Sequence, residues 1–308
     1  MNCRILQCTI REGNEESIGL FKKMGFFQVS QFYYDRSGNN VSVWHKVLIP
    51  IESRIDTPEG LDEQLQIICK NVNDRLWDAY DCSSRKIQIL NRSSRIIFPR
   101  YGRESESEIR VSEQEARFAF VEPLRNSEFL YSIETPTKKN YQFSGSSPIS
   151  AQTDLTLYDF KGNSIVNVEF KAKGRTPSAK SKEDIYKDLQ KLLRESELGL
   201  WYHLLESVNN STIPDLLEVL TTETGRVLNN FKNDVVVKIL IIHICVLRHR
   251  FSIHKKVLIN RSDPEFLDEL RNQLSISLKV SSSKLLKIRN SNDWTIYNRN
   301  NLCHVEPM

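Results

Sequence analysis

The sequence predicts an α/β fold in which a mixed sheet is flanked by helices. Residues 152–158 and 166–173 alternate polar and apolar side chains around a turn-forming segment, which is typical of antiparallel strands. Residues 59–80 carry apolar side chains at helical spacing, and residues 235–247 form an apolar run of strand length. A chain that combines such strands with long helices belongs to the α/β class.

The first fifty residues predict a separate β-α-β-β segment. Residues 3–10 have a strand pattern, and residues 14–26 have the pattern of a helix with an asparagine cap and a terminal glycine. Residues 29–34 and 41–48 then form a predicted hairpin. We therefore place a first domain at residues 1–50.

This segment resembles the carboxyl-terminal part of the GNAT acetyltransferase fold over residues 3–49. The matching residues are Asn14, Ser17, Leu20, Gly25 and Phe26. The family's acetyl-CoA pyrophosphate loop would lie before this segment, and its frequent general-acid tyrosine is Phe21 here. We expect Asn14 to cap the helix and expect no acetyl transfer. An acetyl-CoA-binding regulator remains the weaker alternative. We expect the small sheet to pack on the remainder of the chain or on a second copy, with a homodimer or a partner subunit as alternatives for the whole protein.

Residues 51–308 are predicted as a second domain, which follows a linker at residues 50–58. Helical patterns occur at residues 59–80, 112–120, 185–193, 198–205, 214–231 and 264–278. Strand patterns occur at residues 129–134, 141–143, 152–158, 166–173, 235–247 and 291–297. The polar loops between them carry no recognisable repeat.

The hairpin at residues 152–173 is the centre of the predicted function. Because alternate strand residues point to the same side, Asp154 shares a face with its neighbours at even positions, and Glu169 shares a face with Lys171. Two carboxylates and a lysine can therefore converge at one place. The alternative is that they form the solvated face of an ordinary amphipathic hairpin.

An aspartate followed, after a strand and a turn, by Glu-x-Lys resembles the signature of the PD-(D/E)XK nuclease superfamily, the restriction-endonuclease-like fold. The residues are Asp154, Glu169 and Lys171, and the resemblance covers about residues 100–250. The predicted order of helix, strand, strand, strand, helix and strand is that of the family's core. Thr153 stands where the family name has proline, at a position that varies among members.

The resemblance implies hydrolysis of phosphodiester bonds, in DNA, with Mg²⁺ or Mn²⁺ as cofactor. It makes Asp154 and Glu169 metal ligands, together with the backbone carbonyl of Phe170. Lys171 would orient or help to deprotonate the attacking water and offset charge in the transition state. An acid on the preceding helix completes many such sites. Glu115 is the candidate here, with Glu113 and Glu122 as rivals.

The basic residues are unevenly distributed, although the formal net charge is only +4. Residues 171–182 and 235–262 contain basic side chains and no acidic ones. Such runs beside a metal site suit a phosphate backbone, although charge runs are commonly only solvated loops. The candidate nucleic-acid-binding residues are Lys173, Arg175, Lys180, Lys182, Arg248, Arg250, Lys255 and Lys256.

Composition limits the remaining possibilities. The 308 residues include 39% hydrophobic and 27% charged side chains, which excludes a disordered chain. The six cysteines lack paired spacing, so we expect reduced thiols in a cytoplasmic protein and no zinc site. The most apolar run is too short to cross a bilayer. We therefore expect a magnesium-dependent endo- or exodeoxyribonuclease, or alternatively an inactive nuclease-like module that binds nucleic acid or protein.

Overall fold

The computed structural model describes thirteen stretches of the chain. They are residues 5–47, 57–85, 96–100, 109–125, 127–141, 149–172, 179–230, 237–260, 263, 265–280, 286–290, 293–299 and 303–307. The chain divides into two compact units, Met1–Thr57 and Pro58–Met308. Most of the predicted linker at residues 50–58 lies outside the described residues.

The first unit has the predicted β-α-β-β order. Its elements are β1 (Ile5–Arg11), α1 (Glu15–Lys23), β2 (Phe27–Tyr34) and β3 (Asn39–Val47). The strands form an antiparallel sheet in the order β1-β3-β2, so that the last strand lies in the centre. Ile10, Phe26 and Trp44 form a small buried core against the helix.

Helix α1 begins and ends as its sequence predicts. The side chain of Asn14 accepts a hydrogen bond from the backbone N–H of Ser17 at 3.1 Å, which satisfies one of the free donors at the helix start. After the helix, Gly25 has a φ angle of 82°, in the left-handed region that glycine adopts at little cost. The predicted cap at Asn14 is confirmed.

The second unit contains the remaining helices and strands. Its helices are α2 (Pro58–Arg85), α3 (Glu113–Leu124), α4 (Ala179–Glu195), α5 (Thr212–Asn229) and α6 (Phe266–Leu274). Its first strands are β4 (Leu130–Tyr141), β5 (Ile149–Tyr158), β6 (Ser164–Ala172), β7 (Leu198–Leu205) and β8 (Val237–Val246). Its last strands are β9 (Phe251–Asn260), β10 (Ser277–Val280), β11 (Leu286–Asn290), β12 (Thr295–Asn298) and β13 (Cys303–Pro307).

The main sheet has seven strands in the order β12-β9-β8-β7-β6-β5-β4. Strands β6, β7 and β8 are parallel, whereas the other neighbours are antiparallel. Helices α4 and α5 pack on one face through a large apolar core. Helices α2 and α3 pack on the other face, where Phe120 contacts the rings of Phe170 and Tyr202. The protein is therefore an α/β structure with a mixed sheet between helices.

The helix predicted at residues 198–205 is wrong, because this segment is the central strand β7. All its residues are buried, since helices cover both faces of the sheet, and its sequence therefore lacks alternation. Gly199 allows α4 to approach closely: a Cβ atom there would lie only 2.8 Å from the Cβ of Leu192. The predicted strand at residues 235–247 is confirmed as β8, but it is the second strand after α4.

Two other boundaries differ from the sequence prediction. The helix predicted at residues 264–278 ends earlier, at Leu274, because Ser275 is extended and the chain enters β10. The strand predicted at residues 291–297 is β12, Thr295–Asn298. Within the described residues, no helix combines the length and apolarity needed to cross a membrane.

Candidate functional site

Strands β5 and β6 pair over only part of their length. Their ladder ends at Leu155 opposite Val168. Beyond that point a side chain takes the place of a backbone acceptor: Oδ2 of Asp154 accepts a hydrogen bond from the backbone N–H of Phe170 at 2.8 Å. The space beyond the last pair is here called the β5–β6 gap.

The predicted polar residues share one face of this hairpin. The hydroxyl of Thr156 donates to Oδ1 of Asn167 at 3.0 Å, which places these two side chains side by side. Asp154 precedes Thr156 by two residues, and Glu169 and Lys171 follow Asn167 by two and four. Strand alternation therefore puts all three site residues on the face that carries α4.

Glu169 is the most deeply buried group of the site, with 1% of its side chain exposed. Its Oε2 accepts a hydrogen bond from Nζ of Lys191 at 2.8 Å. Its Oε1 is buried and has no hydrogen-bond partner within the described part of the chain. Burial, and next the carboxylate of Asp188, raise the pKa of Glu169 well above its usual value, against the opposing effect of Lys191.

Lys191 reaches into the gap from α4 and holds three oxygen acceptors. Besides Glu169, its Nζ donates to the backbone carbonyl of Gln152 at 3.0 Å and lies 3.0 Å from Oδ1 of Asp188. Burial opposes the charged amine, but the carboxylates of Glu169 and Asp188 outweigh it and raise the pKa of Lys191. Lys191 is therefore an ammonium ion at neutral pH.

Lys171 lies at the end of β6, between helices α3 and α4. Its Nζ is 2.6 Å from Oδ2 of Asp188 and 3.5 Å from Oε1 of Glu113. Burial again opposes the charge, but Asp188 and then Glu113 raise the pKa of Lys171. Since the amine stays protonated, this arrangement favours charge stabilisation over proton abstraction as the role of Lys171.

Asp154 already has a partner for each carboxylate oxygen. Its Oδ1 pairs with Arg117, which is buried on α3 and also contacts Oε1 of Glu134 at 3.1 Å. Within the described residues, the carboxylates of this site do not form a group of three ligands within 4.8 Å of one another. Each Asp154 oxygen keeps a second lone pair beside its hydrogen bond, so a cation bound there would share the carboxylate with Arg117.

The structure distinguishes the three acids considered on α3. Glu115 caps its own helix, because its carboxylate accepts hydrogen bonds from the backbone N–H and the hydroxyl of Ser112. Glu122 pairs with Arg75 on α2. Glu113 is the one beside Lys171, and burial raises its pKa. The helix acid near the site is thus Glu113 and not Glu115.

Phe170 places its ring in the core and its backbone N–H at the gap. The ring is buried, with centroids 5.4 Å from Phe120 and 5.7 Å from Tyr202. Its N–H points to Asp154 across the gap. The N–H and C=O of one strand residue point to the same side, so we expect the Phe170 carbonyl to face the gap as well.

A cleft of about 700 Å³ adjoins the site between β5 and α4. Its lining includes Gln152, Asp188 and Lys191. Asp188 contacts Lys171, and Lys191 contacts Glu169. The pair Asp188 and Lys191 was not identified from the sequence. Their separation of three residues places both on one face of α4. This spacing is the feature of the sequence that indicates an ion pair there.

Most of the first basic run, residues 171–182, lies outside the described residues. Lys173 and Arg175 lie outside the described residues. Lys180 belongs to α4, but its side chain is also outside them. Lys182 is exposed on the first turns of the same helix.

Basic residues of the second run, residues 235–262, pair with acidic residues from other parts of the chain. Arg250 pairs with Asp81 at 2.6 Å, and Arg248 lies 3.4 Å from Glu206. In β9, Lys256 lies 3.5 Å from Glu59, and burial lowers the pKa of its neighbour Lys255. The expected acid-free surface is therefore partly neutralised by residues distant in sequence.

Arg248 keeps the best position for a phosphate contact in this run. Its side chain is 59% exposed in the turn after β8. Because β6 and β8 run parallel with one strand between them, this turn lies at the same end of the sheet as Lys171, whose register position on β8 is Ile244, four residues before Arg248. Arg250, in the same turn, is half-buried by its pair with Asp81.

Comparison with protein-family models, with curated proteins and with solved structures found no match for this chain.

Proposed function

We propose that the protein is a divalent-metal-dependent nuclease of the PD-(D/E)XK type that hydrolyses phosphodiester bonds in DNA. The observation that carries this proposal is that Asp154, Glu169 and Lys171 share one face at the β5–β6 gap, where Glu169 Oε1 is buried and finds no hydrogen-bond partner among the described residues. A buried carboxylate oxygen of this kind is costly unless a cation or donor occupies the space beside it.

The order of elements supports the same proposal. Helix α3, strands β4, β5 and β6, helix α4 and strand β7 follow the order of the family's core. The signature residues lie on the second and third of these strands. The site is also at the carboxyl end of a strand that runs parallel to its neighbour, where ligands of α/β sheets commonly bind.

The residues present fit a hard divalent cation. Glu169, Asp154 and the Phe170 carbonyl offer oxygen atoms only, which suits Mg²⁺ or Mn²⁺. When bound, such a cation screens phosphate charge and makes water a better nucleophile. Burial, and next the nearby carboxylates of Asp188 and Asp154, raise the pKa of Glu169, and a divalent cation beside it would offset this cost of carrying the charge.

The cationic side chains have separate roles in this proposal. Lys191 fixes the orientation of Glu169 through Oε2 and leaves Oε1, which has no hydrogen-bond partner among the described residues, for the cation. Lys171 presents a permanent positive charge to the phosphate oxygens as negative charge builds up on them. Arg117 holds Asp154 in place through Oδ1 and would keep the carboxylate oriented toward a cation in the gap.

The first test measures cleavage of single-stranded, linear duplex and supercoiled DNA with Mg²⁺ or Mn²⁺ and with chelator. We expect cleavage only with metal. Lys171→Met should slow it by about 10²- to 10³-fold, because a charge placed for the transition state is lost. The variant should keep the Mn²⁺ affinity of the wild type in calorimetry. Lys161→Met, which removes an exposed lysine from the turn between β5 and β6, is the control and should cleave normally.

A nuclease-like module without catalysis is the second candidate. It is favoured by one observation, namely that Lys191 and Arg117 already neutralise Glu169 and Asp154 without a metal. Salt-dependent DNA binding by the wild type, with no cleavage of DNA or RNA under either metal, would support this module and contradict the nuclease.

The first unit leads to a negative prediction. The Asn14 side chain is occupied as a helix cap, and the tyrosine position of the GNAT pattern is Phe21. We therefore expect no saturable binding of acetyl-CoA by calorimetry at micromolar ligand. Saturable binding that Asn14→Ala abolishes would instead support the acetyl-CoA-binding regulator.

A further inference from the structure

We propose that the protein holds a zinc ion between Cys69, His243 and His254, on the sheet face opposite α4. One ligand atom from each residue lies within 4.8 Å of the other two, and all three side chains are buried. The site does not depend on the nuclease proposal. It contradicts the expectation from cysteine spacing, because its ligands come from α2, β8 and β9.

The two histidines are held opposite each other by the sheet. His243 of β8 pairs with His254 of β9 in the antiparallel ladder, and their Nδ1 atoms are 3.1 Å apart. Two ring nitrogens at this distance repel unless a proton or a cation lies between them. A tetrahedral zinc ion with bonds of about 2.0 Å separates two nitrogen ligands by about 3.3 Å, close to the observed spacing.

Asp62 orients the His254 ring for metal binding. Its Oδ1 lies 3.0 Å from Nε2 of His254, and the Asp62 side chain is only partly buried on α2. A carboxylate there fixes the proton on Nε2 and leaves the Nδ1 lone pair directed at the other ligands. The same carboxylate–histidine contact supports many protein zinc sites.

Asn73 provides the corresponding support for His243. Nε2 of His243 lies 3.2 Å from Oδ1 of Asn73 and 3.0 Å from its amide nitrogen, and Oδ1 also accepts a hydrogen bond from the Tyr202 hydroxyl at 2.8 Å. The Asn73 amide nitrogen donates to the Ser252 hydroxyl at 2.8 Å. The oxygen can accept from both Tyr202 and a proton on Nε2, since a carbonyl oxygen has two lone pairs. His243 Nδ1 is then free to bind metal.

The ligand atoms of Cys69, His243 and His254 favour zinc over other metal ions. One thiolate and two imidazoles suit zinc, whereas Mg²⁺ and Mn²⁺ prefer oxygen ligands. Three protein ligands leave the fourth position of a tetrahedral ion to a water molecule, and an ion bound here would tie α2 to the central strands beneath it.

The test uses full-length protein without a polyhistidine tag. We expect about one equivalent of zinc per chain, and Co²⁺ in its place should show tetrahedral ligand-field bands with a thiolate-to-metal charge-transfer band. Cys69→Ser should lose the charge-transfer band, and His254→Gln should lose at least about ten-fold in affinity. Cys82→Ser, which changes another buried thiol on α2, is the matched control and should bind as the wild type does.

Two further measurements separate this site from the nuclease site and cover the case in which the ligand variants do not fold. Glu169→Gln should retain the thiolate-to-cobalt band, which separates this site from the proposed nuclease centre on the other face. If the ligand variants fail to fold, the wild type alone decides, because chelator should lower its melting temperature and zinc should restore it. A wild type that binds neither zinc nor cobalt, or a metal site unaffected by Cys69→Ser and His254→Gln, would overturn the proposal.

Discussion

Glu169→Gln is expected to reduce DNA cleavage to below about one thousandth of the wild-type rate. Loss of a single preorganised electrostatic contact costs about 10²- to 10³-fold, and Glu169 is also proposed to hold the metal. Glutamine keeps the side-chain volume at a position with 1% exposure and can still contact Lys191, so the fold should survive. Calorimetry with Mn²⁺ should show weakened binding in the same variant.

Matched variants on α3 show whether the loss belongs to the site. Glu113→Gln removes the carboxylate beside Lys171 and should slow cleavage. Glu115→Gln alters the helix cap and should lower stability by about 1 kcal/mol while cleavage persists. DNA binding should continue in Glu169→Gln and weaken with salt. Normal cleavage by Glu169→Gln would show that the site is placed wrongly.

Much of the architecture could be predicted because local patterns and tertiary packing agree. The capped helix at Asn14, the hairpin of β5 and β6, and the apolar stripe of α2 all carry signals within a few residues. Strand β7 carries no such signal, because a strand buried on both faces is apolar throughout. Only the position between β6 and β8 makes it a strand.

The candidate site was predictable to the extent that one hairpin forms it. Strand alternation alone places Glu169 and Lys171 together. The cations that pair with the site carboxylates come from elsewhere: Lys191 of α4 pairs with Glu169, and Arg117 of α3 pairs with Asp154. The same limit explains Arg250, whose acidic partner Asp81 is far away in sequence. Contacts of this kind depend on the fold and leave no local pattern.

Lys191→Met should lower the free energy of unfolding by about 3–5 kcal/mol at neutral pH, the usual cost of breaking a buried ion pair by removing one partner. The side chains of Lys191, Glu169 and Asp188 are at most 10% exposed, so solvent cannot compensate for the lost ammonium ion. Methionine keeps the length and flexibility of the aliphatic chain. Lys182→Met, on the exposed part of α4, should change the free energy by less than about 0.5 kcal/mol.

The pH dependence identifies the cause of this loss. Burial already raises the pKa of Glu169 in the folded wild type, and removal of Lys191 takes away the main opposing charge. A carboxyl group whose pKa is higher folded than unfolded stabilises the protein fully below its unfolded pKa of about 4.3, and this contribution is lost as pH rises through the folded value. Urea unfolding should therefore show a smaller penalty for Lys191→Met at about pH 5 than at about pH 8. An equal penalty at both pH values would mean that lost packing, rather than the unpaired carboxylates, destabilises the variant.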